Sequence, residues 1–207
     1  MDFMILNFRQ YFLYKYIMKI YLLRHEDKPN DCSFFTPLTK KGLENSIKLV
    51  DFLEKCNINV IFSSPFVRNL QTIYPFSKKN NVKINLEYGL SEIHLKDIIA
   101  KQSKGISLPE YYAELFNYNK VYNTIIKPNE IRYPETSFYF EKRNKKVFEY
   151  IINTYKNTDA NILICAHMET CIYLLKKINP EIKYYNMGYL SKIIDDDGWN
   201  FKPINYI

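Results

Sequence analysis

The chain has 207 residues, 47% of them hydrophobic and 25% charged, with a formal net charge of +7. That balance is ordinary for a soluble globular protein, and the length suits one domain with a substantial core. It excludes a membrane-spanning chain, and the scattering of the lysines argues against a nucleic-acid binder in favour of steering small anions into a positive pocket. In chain order, residues 1–17 form an aromatic and apolar leader interrupted by Asp2, Arg9 and Lys15, without the cleavage site of a signal peptide. The leader reads as an extension or a non-native start, or as a short peripheral helix, ahead of a domain over 18–207. Lys19–Leu23 predicts a first strand. Thr39 caps a helix to about Lys55, with Leu43, Ile47, Val50 and Leu53 on its apolar face. Asn59–Phe62 is the next strand, and Pro65 sits near the start of the helix that follows.

Further along, Lys83–Leu86 is a short strand, and helical patches run over Pro109–Tyr118 inside an irregular stretch from Leu95 to Glu130. Thr136–Tyr155 reads as a long amphipathic helix, Asn161–Cys165 as a strand, and Glu169–Ile178 as a helix. Leu190–Ile194 and Trp199–Phe201 flank Asp196-Asp197-Gly198, a hairpin signal. Alternating strands and helices predict an α/β fold, a three-layer α/β/α sandwich around a mainly parallel sheet. Cys32, Cys56, Cys165 and Cys171 form no C-x-x-C pair and no zinc spacing with the three histidines. Free thiols in a reducing, cytoplasmic setting follow.

Two of the apolar runs stop on a histidine: Ile20–Leu23 leads into Arg24-His25, and Asn161–Ala166 leads into His167. A third, Val60–Phe62, feeds Ser63-Ser64-Pro65 and a helix with Arg68 in its first turn. In open α/β sheets, ligands bind beyond the carboxyl ends of the strands. Arg24, His25, Arg68 and His167 would therefore share one cationic pocket suited to a phosphoryl group.

These segments resemble the histidine phosphatase superfamily, the phosphoglycerate-mutase-like family, from about Lys19 to the C-terminus. Arg24-His25 matches the signature dipeptide, and Ser63-Ser64-Pro65-x-x-Arg68-x-x-Gln71-Thr72 matches the second motif closely. Leu38-Thr39-Lys40-Lys41-Gly42, Pro134-Glu135-Thr136 with Arg143, and Asp197-Gly198-Trp199 take the family's order as well. Leu90-Ser91-Glu92-Ile93 is similar to the segment that carries the family's acidic proton donor, with Glu87 a nearby alternative. The resemblance implies a metal-independent phosphomonoesterase without a cofactor. His25 would be the phosphohistidine nucleophile, Glu92 the general acid and base, and Arg24, Arg68 and His167 the phosphoryl-binding groups. A phosphorylated small molecule is the expected substrate, and a phosphoprotein stays open.

Each role fits what the side chain can do. Neutral imidazole attacks phosphorus and splits one hard displacement into two. Arginines grip non-bridging oxygens with fork geometry and disfavour protonation of a neighbouring imidazole. Glu26, Asn30, His94 and Met168 stand beside these residues and are candidates for the substrate pocket. Glu26, Met168 and Glu169 also depart from the family, which often has glycine there. A Glu26 carboxylate facing the phosphate would weaken anion binding. A mutase and a degenerate phospho-ligand binder are the alternative readings.

Overall fold

The computed structural model describes residues 18–96, 99, 107–176, 178–188, 190–195 and 198–204. The leader over 1–17, residues 97–98 and 100–106 of the irregular stretch, and residues 196 and 197 of the hairpin signal lie outside them. The strands are β1 (Lys19–Arg24), β2 (Val60–Ser63), β3 (Ile84–Leu86), β4 (Asn161–Ala166), β5 (Leu190–Asp195) and β6 (Gly198–Ile204). The helices are α1 (Lys40–Lys55), α2 (Val67–Asn80), the short α3 (Glu110–Ala113), α4 (Ser137–Tyr155) and α5 (Met168–Leu175). Among the described residues no helix is long and apolar enough to cross a membrane.

The sheet runs β3-β2-β4-β1-β5-β6. The first four of these strands are parallel, β5 is antiparallel to β1, and β6 is antiparallel to β5. Ile20–Leu23 and Ile162–Ala166 are buried without interruption. Because successive side chains point to opposite faces, continuous burial means that both faces of the sheet centre are covered. The apolar runs in the sequence have this cause.

Thr39 caps α1 as expected, its Oγ1 accepting the Gly42 N–H at 3.1 Å. The apolar face of that helix needs correction. Leu43 and Ile47 are exposed, and the buried line is Gly42, Asn45, Ser46, Leu49, Val50 and Leu53. Gly42 belongs to that line because a β-carbon there would collide with the Asp27 carbonyl oxygen. The tight approach of the loop after β1 thus selects the face, and a hydrophobicity count cannot see it.

Chain order explains where the site forms. The chain leaves β1, builds β2 and β3 further out, and returns β4 into the gap between β1 and β2. Arg24 then pairs in register with Ala166, and Ser63 with Cys165. The three strand ends that carry Arg24-His25, Ser63-Ser64 and His167 are adjacent.

Candidate active site

His25 follows β1, and its backbone N–H donates to the Ala166 carbonyl at 3.1 Å. The side chain is buried, with Nδ1 2.8 Å from the Glu26 carbonyl oxygen. A carbonyl only accepts, so Nδ1 carries the proton and Nε2 keeps its lone pair. Burial, then the Arg68 and Arg24 guanidiniums, push the His25 pKa well below its ordinary 6.5. The ring is neutral at pH 7, with a basic nitrogen of fixed identity.

Arg68, fully buried in the first turn of α2, donates from Nη1 to the Ser33 carbonyl at 2.9 Å. Its Nη2 lies 3.3 Å from His167 Nδ1 and 3.8 Å from Glu92 Oε2. Guanidinium only donates, so His167 Nδ1 accepts. The His167 proton then sits on Nε2, 2.8 Å from Ser64 Oγ. Burial and Arg68 hold the His167 pKa well below its ordinary value. The rings of His25 and His167 stand edge to face at 5.4 Å.

Glu92 reaches the same point from the segment after a 3-10 turn at Tyr88–Leu90. Its Oε2 is 3.4 Å from His167 Nδ1, and its Oε1 accepts the Ile93 N–H at 3.2 Å. Burial raises the pKa of the Glu92 carboxyl despite the opposing pull of Arg68. Arg24 donates from Nη1 to the Tyr185 carbonyl at 2.7 Å, and the Nε atoms of Arg24 and Arg68 are buried without a partner. Among the described residues no group of histidine, cysteine and carboxylate side chains is placed to hold a metal ion.

The family model for the histidine phosphatase superfamily (branch 1) matches residues 20–191. The chain belongs to that superfamily. No curated protein sequence matches it. Solved structures share the histidine phosphatase fold with this chain. The ecdysone phosphate phosphatase of Bombix mori has a TM-score of 0.67 at 15% identity, over 91% of this chain and 92% of that one. Phosphoglycerate mutase from Bacillus anthracis str. Sterne has a TM-score of 0.67 at 17% identity, over 92% and 93%. The alpha-ribazole phosphatase of Shigella flexneri has a TM-score of 0.63 at 17% identity, over 91% and 96%. The family match agrees with the enzyme class that the motifs implied, a phosphatase of the histidine phosphatase superfamily.

Other residues singled out in the sequence of this histidine phosphatase family member fall differently. Glu26 is buried, its carboxylate accepting from Asn45 Nδ2 on α1 at 3.1 Å, and its backbone N–H donates to Thr72 Oγ1 at 3.0 Å. Asn30 is exposed in the loop after β1, where Lys28 Nζ curls back onto the carbonyls of Pro29 and Asp31. Met168 is half-buried in the first turn of α5. His94 is buried beside Phe66, with a ring separation of 6.4 Å. Glu87 sits in a closed nest of donors: Gly89 N–H, Ile125 N–H, Ile126 N–H, Tyr122 Oη and Thr124 Oγ1. It therefore staples the 122–126 segment to the end of β3, whereas Glu92 lies against His167 and Arg68.

Sequence reasoning assigned no role to Ser64, which holds His167, or to Asn69, whose Nδ2 donates to the Ala166 carbonyl at 2.8 Å and ties α2 to the end of β4. Both lie inside the Ser-Ser-Pro motif or its following helix, so the signal was present. The Arg143–Glu135 pair was noted only as a motif. Arg143 uses Nε and Nη2 on the Glu135 carboxylate, both at 2.8 Å. It places its remaining N–H groups on the carbonyls of Gly89, Ser91 and Glu92 at 2.7, 2.9 and 3.0 Å.

Proposed function

We propose that the protein is a metal-independent phosphomonoesterase acting on a phosphorylated small molecule through a phosphohistidine on His25. His25 Nε2 attacks phosphorus, the bond from phosphorus to the ester oxygen breaks, and the leaving alkoxide takes a proton from the Glu92 carboxyl. In the second half, the Glu92 carboxylate takes a proton from water as that water attacks the phosphohistidine. Inorganic phosphate leaves, and both side chains return to their starting states.

The observation that carries this reading is the 2.8 Å contact from His25 Nδ1 to the Glu26 carbonyl, which leaves Nε2 unprotonated inside a cationic, buried site. The unpartnered Nε atoms of Arg24 and Arg68 supply donors for non-bridging oxygens, where fixed positive charge stabilises the spreading negative charge. A dianion next to His167 would raise its proton affinity. The added proton would sit on Nδ1, the nitrogen 3.4 Å from Glu92, in place of the Arg68 Nη2–H that this nitrogen accepts without a ligand. The raised pKa of Glu92 favours the protonated form that an acid needs.

The test is single-turnover transfer from a radiolabelled phosphate monoester to wild-type protein and to His25→Ala, with chelator present. Acid-labile, base-stable label on the wild type alone, released as inorganic phosphate, is the expected result. Label passed back to a rotated substrate would make the protein a mutase, and bound ester without label or turnover would make it a phospho-ligand binder.

A further inference from the structure

Beyond the candidate active site, a cleft of about 280 Å3 opens between segment 126–132 and the first three turns of α4. None of Arg24, His25, Arg68, Glu92 and His167 lines it. Four cations do: Arg132 from the segment, and Lys142, Arg143 and Lys146 from one face of the helix. Two carboxylates also line the cleft, and both are committed. Glu135 lies in the fork of Arg143, so that pair is neutral as a unit. Glu130 Oε2 accepts the Lys127 N–H at 2.7 Å and closes the 3-10 turn at Pro128–Glu130.

The remaining three cations are exposed and form no ion pair among the described residues. Lys142 and Lys146 stand at i, i+4, where like charges repel along a helix face. Glu149, three residues beyond Lys146, is paired with Lys145 at 3.7 Å. Arg132 is held in place by Tyr139, its guanidinium carbon 3.7 Å from the ring centre. A guanidinium held by its face keeps its N–H edge for an acceptor.

Cations gathered in a concave site with low-dielectric walls, here Ile126 and the Tyr139 ring, raise the local concentration of anions. The donors set the ligand class. Three cations against one carboxylate call for more than one negative charge, and a guanidinium fork beside two ammonium groups suits phosphoryl oxygens. The volume is at the small end of the about 300–1,000 Å3 that small-molecule sites occupy, which fits a compact ligand.

We propose that this cleft is an anion site of its own, which binds a compact phosphoryl-bearing polyanion through Arg132, Lys142 and Lys146. The site is separate from the reaction at His25 and does not depend on it.

The experiment measures acetylation rates of single lysines by mass spectrometry, with inorganic pyrophosphate as the probe. At about ten times its dissociation constant, pyrophosphate should slow Lys142 and Lys146 roughly tenfold, by the factor 1 + [L]/Kd. Lys41 on α1 and Lys156 at the end of α4, both exposed, should keep their rates. Arg132 is exposed, so Arg132→Gln leaves the fold intact; it should raise the concentration for half protection by roughly 2- to 5-fold, the worth of one exposed pair. Protection no greater than at Lys41, equal protection by sodium chloride at the same ionic strength, or a half-protection point unmoved in Arg132→Gln overturns the inference. Ester turnover is measured on the same samples, and its absence would count against the phosphomonoesterase reading alone.

Discussion

Substituting Arg143 with methionine removes a cation whose five N–H groups all have acceptors and leaves the Glu135 carboxylate, 3% exposed, without its partner. Breaking a buried pair from one side costs about 3–5 kcal/mol, because the remaining charge is stranded. The carbonyls of Gly89, Ser91 and Glu92 lose charged donors in the same step, so the upper half of that range is expected. In a domain whose whole stability is about 5–15 kcal/mol, the variant stays folded in buffer but near its limit. With a urea m-value of about 2.5 kcal/mol/M, a loss of about 4 kcal/mol moves the midpoint down by about 1.6 M. The assay is urea unfolding of wild type, Arg143→Met, Glu135→Gln and the double variant. The double variant should lose less than the sum of the single losses, since neutralising Glu135 removes the stranded charge. A midpoint shift below about 0.4 M for Arg143→Met, or strict additivity in the cycle, would refute the reasoning.

Two further outcomes are expected. Glu92→Gln should lower kcat on an alkyl phosphate by about 10²–10⁴-fold, and a loss under about tenfold would remove Glu92 from the acid role. Stability should also fall on mild acidification, because all three histidines of the chain have depressed pKa values when folded. Their contribution is fully present above the unfolded value of about 6.5. It is lost as pH falls below that value toward the folded values, at up to about 1.4 kcal/mol per pH unit for each ring. For His94 this window closes at about 4. Glu92 runs the other way, since its raised pKa lets the folded state hold a proton more readily at low pH, and offsets part of the slope. Urea midpoints at pH 7.5, 6 and 5 measure it. Flat midpoints, or an unaltered slope in His94→Asn, would contradict the burial of these rings as neutral groups.

The strands that build the pocket were legible because continuous burial writes itself as an apolar run; two of the runs ended on a histidine, and the third fed a helix with Arg68 in its first turn. Arg24, His25, Arg68 and His167 could be placed together by that rule alone. Glu92 needed the resemblance, because one glutamate after a loop has no local signature. Its contrast with Glu87 depends on which carboxylate the 122–126 segment encloses, and no window of sequence holds that information. The buried face of α1 was misread because Gly42 faces inward for reasons of contact distance, while Leu43 and Ile47 sit at the surface. The concern that the Glu26 carboxylate would face phosphate is met by Asn45, a partner 19 positions away on α1.

The placement of β4 between β1 and β2 also sets an order of events for the newborn chain. By the time β3 has emerged from the ribosome, β1 has no strand to pair with, because its neighbours in the sheet are β4 and β5. His25 has then been made, but the register that pairs Arg24 with Ala166 waits for another 80 residues of synthesis from Leu86 to Ala166. Joining the halves requires contacts of long sequence separation, the slow kind to form. The candidate pocket is therefore among the last parts of the molecule to assemble, and a chain stalled before Asn161 would carry His25, the proposed nucleophile, with no site around it.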